Sequence, residues 1–301
     1  MSPSAFQDIV PESRVHQRAM LSNYTSMRTG GPADYLIEAA SEDEICAVFE
    51  QAQKENIPVY IMGNGSNLIF SDEGFRGVVL HIGKAFSSIK IDSCSMDCQA
   101  GAMLAAVSRE AAEHALSGME FAAGIPGSVG GAVCMNAGAY GGEISQVLEH
   151  ARVLVNGNVE RWTRDQLQFG YRHSAIMDQT CTVLSAQFIL TPGNREDIRS
   201  YMRDLNDRRR QKQPLQYPSC GSFFKRPAGH YAGALIEQAG LKGFAIGDAQ
   251  VSELHAGFVI NRGHATSQDI YRLMRHVQHT VFEQSGVLLE PEVKLIGRFE
   301  A

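Results

Sequence analysis

Ala123 to Glu143 reads AGIPGSVGGAVCMNAGAYGGE, and the rest of the chain is understood from this stretch outward. It holds seven of the 29 glycines: Gly124, Gly127, Gly130, Gly131, Gly138, Gly141 and Gly142. Glycine has no Cβ, so such a backbone reaches positive φ, approaches another molecule closely and turns its N–H groups on an anion. A tight glycine-rich turn buried between core elements reads equally well from this stretch alone. The spacing is not the Gly-x-Gly-x-x-Gly of a dinucleotide-binding turn. It is not a P-loop either, since no Gly-Lys-Ser/Thr follows. A nucleotide held here is held by some other fold.

Upstream, Ser41 and Glu44 form a capping box, and Ile45, Val48, Phe49 and Ala52 fall on one helical face. The ordered part opens at Asn23 to Leu36, around a Gly30-Gly31-Pro32 turn. Val59 to Met62 reads as a strand that runs into Gly63-Asn64-Gly65-Ser66-Asn67, followed by strands at 68–70 and 78–82. That turn offers backbone donors and small polar side chains together, a phosphate cradle or a plain hairpin turn. Ile89 to Ile91 and Cys98 to Ala100 read as short strands, and the Ala-rich 103–114 as a helix. Downstream, strands at 152–155 and 159–162 are expected to flank Asn156-Gly157-Asn158 as a hairpin, 163–169 reads as a short capped helix, and Pro192-Gly193-Asn194 as a linker. Residues 195–212 read as a polar helix whose Arg208-Arg209-Arg210-Gln211-Lys212 end is mostly a solvated face. Helices are expected over 231–239, stopped by Gly240, and after a Thr266–Asp269 cap, with Ile270, Leu273, Met274, Val277 and Val281 as a core stripe. Strands are expected at 257–261, 287–289 and 293–296.

The chain has 301 residues, enough for two or three domains. It is 44% hydrophobic and 20% charged, with a net charge of −6. That balance argues against bulk nucleic-acid binding, which needs basic surface, and leaves room for a local basic pocket. No apolar run approaches a membrane span, and no secretory leader is evident, so the expected setting is cytoplasmic. The six cysteines are scattered without a zinc-site spacing and read as free thiols. No metal site is expected, and the apolar helices can all be spent on cores, which favours a monomer.

GNGSN, AGIPGSVGGAVCMNAGAYGGE, YRHS, YPSCGSFFKRP and LEPEVKLIG follow one another in order. Together, over about 23–297, they resemble the UDP-N-acetylenolpyruvoylglucosamine reductase family, in its shorter type. The resemblance implies an α+β, vanillyl-alcohol-oxidase-like fold. Two FAD-binding subdomains, 1–83 and 84–194, would be followed by a substrate domain, 195–301. It implies FAD as cofactor and NADPH as hydride donor. The substrate would be UDP-N-acetylglucosamine enolpyruvate, reduced to UDP-N-acetylmuramate for peptidoglycan synthesis. Gly63, Asn64, Gly65, Ser66 and Asn67, with Gly124, Ile125, Pro126, Gly127, Ser128, Gly130 and Gly131, would line the FAD pyrophosphate. Asn136 and Gly138 would continue that wall. Arg172, Ser222 and Glu292 match the catalytic positions, Tyr140 and Tyr171 would border the substrate, and Lys212, Arg226 and His255 would bind its nucleotide-sugar portion. Ala123 stands where many relatives of the shorter type have Cys, and Gly247-Asp248 where many have a Gly pair.

The chemistry implied is hydride addition to C3 of an enol ether that bears a carboxylate. Charge pushed into the carboxylate needs fixed positive charge, which the fork of Arg172 suits. Glu292 would help as a neutral acid, which requires burial or hydrogen bonding of its protonated form. Ser222 would protonate C2, a poor acid made competent by a strongly basic partner. From the residues alone, Arg172 could instead pair with Asp178, Ser222 could be a strand-start hydroxyl, and Glu292 an exposed neighbour of Pro291. An FAD oxidase of alcohols or sugars, and a noncatalytic nucleotide-binding module, are the competing readings.

Overall fold

The local signals become three larger sheets and three two-stranded pairs among residues 6–300, the residues that a computed structural model describes. The chain divides into two units. The first takes the described residues to Gln17 with Tyr35–Asn64 and Gly77–Arg209; the second takes Arg18–Asp34, Gly65–Arg76 and Arg210 onward.

In the first unit an antiparallel sheet runs in the order Asn158–Thr163, Leu148–Val155, Cys181–Ile189, Ser95–Gln99, Ile89–Asp92. Its hairpin turns at Asn156 and Gly157, with φ of 49° and 79°. Two positive φ values in a two-residue loop match the right-handed twist of the flanking strands. Asn158 pairs with Val155, so the second strand starts one residue earlier than expected. Val59–Met62 pairs in parallel with Phe75–His81. Helix α1, Glu42–Lys54, buries Ile45, Val48 and Ala52. Ser41 Oγ accepts from the Glu44 N–H at 3.1 Å, but Glu44 reaches back one residue further than a simple box, to the Ala40 N–H at 2.7 Å. Arg14 grips the same carboxylate through both nitrogens and holds it below the usual carboxylate range.

Helices α2, Leu104–Glu113, α3, Val129–Met135, and α4, Arg195–Lys212, follow. Helix α3 lies inside the glycine-rich stretch, where the sequence reading shows only a loop. A Cβ on Gly130 would stand 3.0 Å from the Ala100 Cβ, so glycine lets the helix lie directly on the neighbouring strand end. Val129, Ala132 and Val133 are buried there. Three other expectations are corrected. Residues 163–169 make one turn, closed by Leu167 N–H to Thr163 O at 3.0 Å, and Gln168 at φ 45° stops it from propagating. Thr191–Pro192 pairs with Leu116–Ser117, so the Pro192 segment is tied down rather than free. Phe6 and Val10 are 1% exposed, so order begins well before Asn23.

In the second unit an antiparallel sheet runs Ser219–Ser222, Phe258–Asn261, Ala249–Val251, Ala245–Ile246. Leu68–Phe70 pairs in parallel with Lys294–Ile296. Helix α5 is Ala232–Gln238, and α6 is Ser267–Ser285. The Thr266–Asp269 capping box is formed on both sides, and Asp72 also accepts from the Ser267 and Gln268 N–H groups at 2.9 Å each. A carboxylate there meets the positive end of the helix dipole. All five stripe residues of α6 are buried, each contributing about 1.5–3 kcal/mol. Residues 287–289 form no strand; Gly286 ends α6 at φ 70°, and Leu289 O accepts the Gln278 amide.

The six cysteines are free, and burial pushes the Cys98 and Cys220 thiols up to about 12. Among the described residues no helix is long and apolar enough to cross a membrane, and no cluster of His, Cys, Asp or Glu is placed to hold a metal.

Candidate functional site

Within the first unit the two glycine-bearing turns meet. Asn64 Nδ2 donates to Pro126 O at 2.6 Å. A Cβ on Gly63 would overlap the Ser128 Oγ, which belongs to a residue only 3% exposed. The loop is tied to the preceding segment by Leu104 N–H to Gly127 O, Val129 N–H to Ala102 O and Gly130 N–H to Ala100 O, at 2.8–3.0 Å. Those bonds spend the Val129 and Gly130 donors. Among the described residues the Gly127, Ser128 and Gly131 N–H groups and the Ser128 hydroxyl have no protein partner. The cradle is therefore narrower than glycine content suggests.

At the start of the same loop stands Arg209 of α4, only 9% exposed. A Cβ on Gly124 would sit 2.9 Å from Arg209 Nη1 and 2.8 Å from Asn206 Oδ1. Among the described residues Arg209 forms no ion pair, although burying an unpaired charge is expensive. Sequence reasoning placed it on a solvated face and missed it.

The end of α3 leads into the second half of this unit's site. Asn136 closes the helix in the left-handed region, at φ 43° and ψ 57°, and is 2% exposed. Its Oδ1 accepts from the Ser145 N–H and its Nδ2 donates to Gly170 O, both at 3.0 Å. The amide is spent inside the protein, so only the Asn136 backbone can border a ligand. Gly138–Ala139 and Gly142–Glu143 form a tiny hairpin that turns at Tyr140 and Gly141, with φ of 54° and 89° and Tyr140 exposed. Tyr171 and Arg172 are the two turn residues between Gly170 and His173, which exchange both backbone hydrogen bonds. Arg172 has φ 55°; its Nη2 donates to Gly138 O at 3.2 Å, and its Cζ lies 5.3 Å from the Tyr171 ring centre. Asp178 meets His173, its Oδ1 lying 3.0 Å from the ring Nε2.

The second unit brings Ser222 and Glu292 onto facing segments. Gly221, at φ 74°, precedes Ser222, which is exposed. Glu292 N–H bonds to Phe223 O at 2.9 Å, Lys225 N–H to Glu290 O at 2.8 Å, and Phe224 bridges Pro291. Asn67 clamps the Glu292 strand twice, donating from Nδ2 to Glu292 O and accepting from the Lys294 N–H, at 3.0 Å each. Asn67 thus shapes the Glu292 backbone. Gly65, at φ 60°, is buried, and a Cβ there would overlap the Tyr24 carbonyl oxygen. Its lack of a side chain is demanded by the protein's own backbone.

Lys212 is exposed at the last position of α4. Arg226 places its Cζ 4.1 Å from the ring centre of Tyr231, which is 64% exposed. His255 is half-buried beside Phe258, whose strand position pairs with Ser222. Its Nδ1 accepts from the Gly257 N–H at 3.1 Å, which leaves Nε2 to carry the proton of the neutral ring, and burial holds it below the usual histidine range.

Residues 213–296 match the family described as UDP-N-acetylenolpyruvoylglucosamine reductase, C-terminal domain, and residues 33–162 match an FAD binding domain. A curated relative of that reductase name from Agathobacter rectalis is 50% identical over 96% of both chains. One from Levilactobacillus brevis is 49% identical over 95% of this chain and 94% of its own. The crystal structure of the enzyme of that name from Thermus caldophilus superposes with a TM-score of 0.84 at 35% identity, covering 94% of this chain and 99% of that one. A glucose oxidase variant of Phl p 4 aligns over 64% of this chain and 44% of its own, with a TM-score of 0.52 at 13% identity. That likeness shows the fold alone, a vanillyl-alcohol-oxidase-like FAD-binding architecture of α+β type.

Proposed function

The chain belongs to the UDP-N-acetylenolpyruvoylglucosamine reductase family, and on that premise we propose how its residues divide the work. The protein is an FAD-dependent oxidoreductase that reduces UDP-N-acetylglucosamine enolpyruvate to UDP-N-acetylmuramate with NADPH, a step of peptidoglycan precursor synthesis. The residues of the first unit fit FAD: two turns in contact, a serine hydroxyl aimed between two glycines, and a buried arginine with no counter-ion among the described residues. Gly63, Asn64, Gly124 to Ser128 and Gly131 would hold its pyrophosphate, with Arg209 as the counter-charge. FAD, when bound, supplies the hydride chemistry between NADPH and C3 of the enolpyruvyl group.

Arg172 grips the substrate carboxylate, where charge accumulates as C3 is reduced, and its guanidinium stays charged throughout. Glu292, in its protonated form, donates a hydrogen bond to the same charge. Ser222 delivers the proton to C2. Its position after Gly221, exposed at a strand end, leaves the hydroxyl accessible. Lys212 and Arg226 meet the diphosphate, Tyr140 and Tyr171 border the enolpyruvyl sugar, and His255 donates from Nε2. The observation that carries the assignment is the antiparallel pairing of Phe223–Lys225 with Glu290–Glu292, which joins two motifs 70 residues apart (292 − 222) in sequence. We assign functional segments 1–83 and 84–194 to the flavin and 195–301 to the substrate. The three larger sheets each lie within one of these segments, which supports that division. The protein acts as a cytoplasmic monomer in this reading.

An anaerobic visible spectrum tests the reading. A flavin band that bleaches with NADPH and returns only on adding the enolpyruvyl sugar supports it. A band that bleaches and ignores the sugar refutes the substrate, and rapid reoxidation by oxygen with an alcohol favours the oxidase reading.

A further inference from the structure

Three hydrogen bonds tie the Arg172 turn to one segment. On its N-terminal side Gly170 O takes the Asn136 amide at 3.0 Å. On its C-terminal side Ser174 Oγ, wholly buried, donates to Cys134 O at 2.8 Å. At its tip the Arg172 guanidinium reaches Gly138 O at 3.2 Å. The segment from Cys134 to Gly138, the end of α3 and the start of the cofactor wall, therefore fixes both flanks of the turn and its charged head.

Asn136 is the side chain at the centre of this arrangement. Its orientation is not ambiguous, because the Ser145 N–H can only face an oxygen and Gly170 O can only face a nitrogen. Its left-handed φ of 43° suits asparagine among residues that carry a Cβ. The turn it holds is a demanding one. Arg172 occupies the second central position at φ 55°, where glycine or asparagine is the comfortable choice. A turn with that residue in it drifts unless its register is imposed from outside.

We propose that Asn136 is a positioning residue that sets the guanidinium of Arg172 for the substrate carboxylate, coupling the cofactor wall to the carboxylate grip. The inference rests on the assignment of Arg172 made above. It explains why a buried polar side chain beside the glycine stretch, anchored on one side by the Ser145 N–H, turns its other end on Gly170 O at the base of the turn.

The test is a double-mutant cycle read by the reoxidation of NADPH-reduced protein on adding the enolpyruvyl sugar. Asn136→Gly suits the left-handed backbone and removes the side chain with both its hydrogen bonds, to Gly170 O and from the Ser145 N–H. The expected result is a fall in the reoxidation rate of about 10- to 100-fold, the scale of a 1 Å misplacement, with a much smaller effect on flavin reduction by NADPH. In an Arg172→Ala background the same change should lower the remaining rate less than about twofold, because nothing is left to position. Equal losses in both backgrounds, or a rate within twofold of the unchanged protein for Asn136→Gly alone, overturn the inference. Near wild-type reoxidation by Arg172→Ala overturns the parent assignment as well. Should Asn136→Gly fail to fold, Asn136→Asp runs the same cycle: it keeps the volume and the acceptor for Ser145 and turns a carboxylate on Gly170 O.

Discussion

Arg172→Gly and Arg172→Ala remove the same guanidinium, yet they should leave proteins of different stability. Both lose the bond to Gly138 O and the contact with the Tyr171 ring. They differ only in what the backbone at φ 55° asks of the new residue. A Cβ in the left-handed region is unfavourable by roughly 1–2 kcal/mol. Glycine avoids that strain, but its unfolded chain is freer, which offsets about 0.4–1 kcal/mol. The glycine variant should therefore be the more stable by about 0.5–1 kcal/mol. In a unit of this size that is a melting temperature about 1–4 °C higher. Thermal unfolding of both apoproteins, followed by far-UV circular dichroism in one buffer, measures the difference. Reoxidation by the enolpyruvyl sugar should be severely slowed in both. An alanine variant as stable as the glycine variant, or more so, would refute the left-handed geometry at Arg172. The argument that the turn must be held from outside would fall with it.

Ser222→Ala should still bleach its flavin with NADPH but lose about 10²- to 10⁴-fold in turnover of the enolpyruvyl sugar, the usual scale for a proton donor; stopped-flow of the two half-reactions separates them, and unchanged turnover removes Ser222 from the mechanism. Arg209→Met should weaken FAD binding about 10- to 100-fold, as expected for a lost charged hydrogen bond of about 1.5–3 kcal/mol; a fluorescence titration of apoprotein that shows no loss would return Arg209 to a purely structural role. Burial holds His81 and His255 below the ordinary value of 6.5. The unfolded chain then takes up protons first as pH falls, so their contribution is constant above about pH 6.5 and is lost progressively below it. Urea midpoints between pH 7.5 and 5 should decline, and His81→Gln with His255→Gln should flatten the decline; an unchanged slope would exclude these two rings as its source.

Local rules carried much of the fold. The Ser41 and Thr266 caps, the Asn156-Gly157 turn and the α6 stripe are short-range features, and each appears where spacing placed it. Helix α3 was illegible because its glycines lower helix propensity, while what stabilises it is burial of Val129, Ala132 and Val133 against a distant strand end. Residues 163–169 erred the other way: the capping signal is real, with Gln166 bonding the Thr163 N–H at 2.9 Å, but one satisfied turn does not make a helix. Arg209 was readable in principle. Ile198, Met202, Leu205 and Arg209 fall at helical spacing, and Ile198 and Leu205 are buried with it. Reading the run from Arg208 to Lys212 as a block of charge hid the one arginine on the apolar stripe.

The glycines show why composition alone could not settle the site. Gly65 is required by Tyr24 O, Gly74 by Pro32 O and Gly130 by Ala100, so each answers to the fold whatever the protein binds. Gly221 is different. Its φ of 74° needs glycine, yet a Cβ there would meet no atom within 4 Å. The conformation serves the residue that follows, turning Ser222 outward at the end of its strand. Arg172 departs from the same logic in the opposite direction, an arginine kept where glycine is easier. A strained charged residue in a turn held by one end of the Asn136 amide is what chemistry at the guanidinium would call for, and the turn itself does not need it.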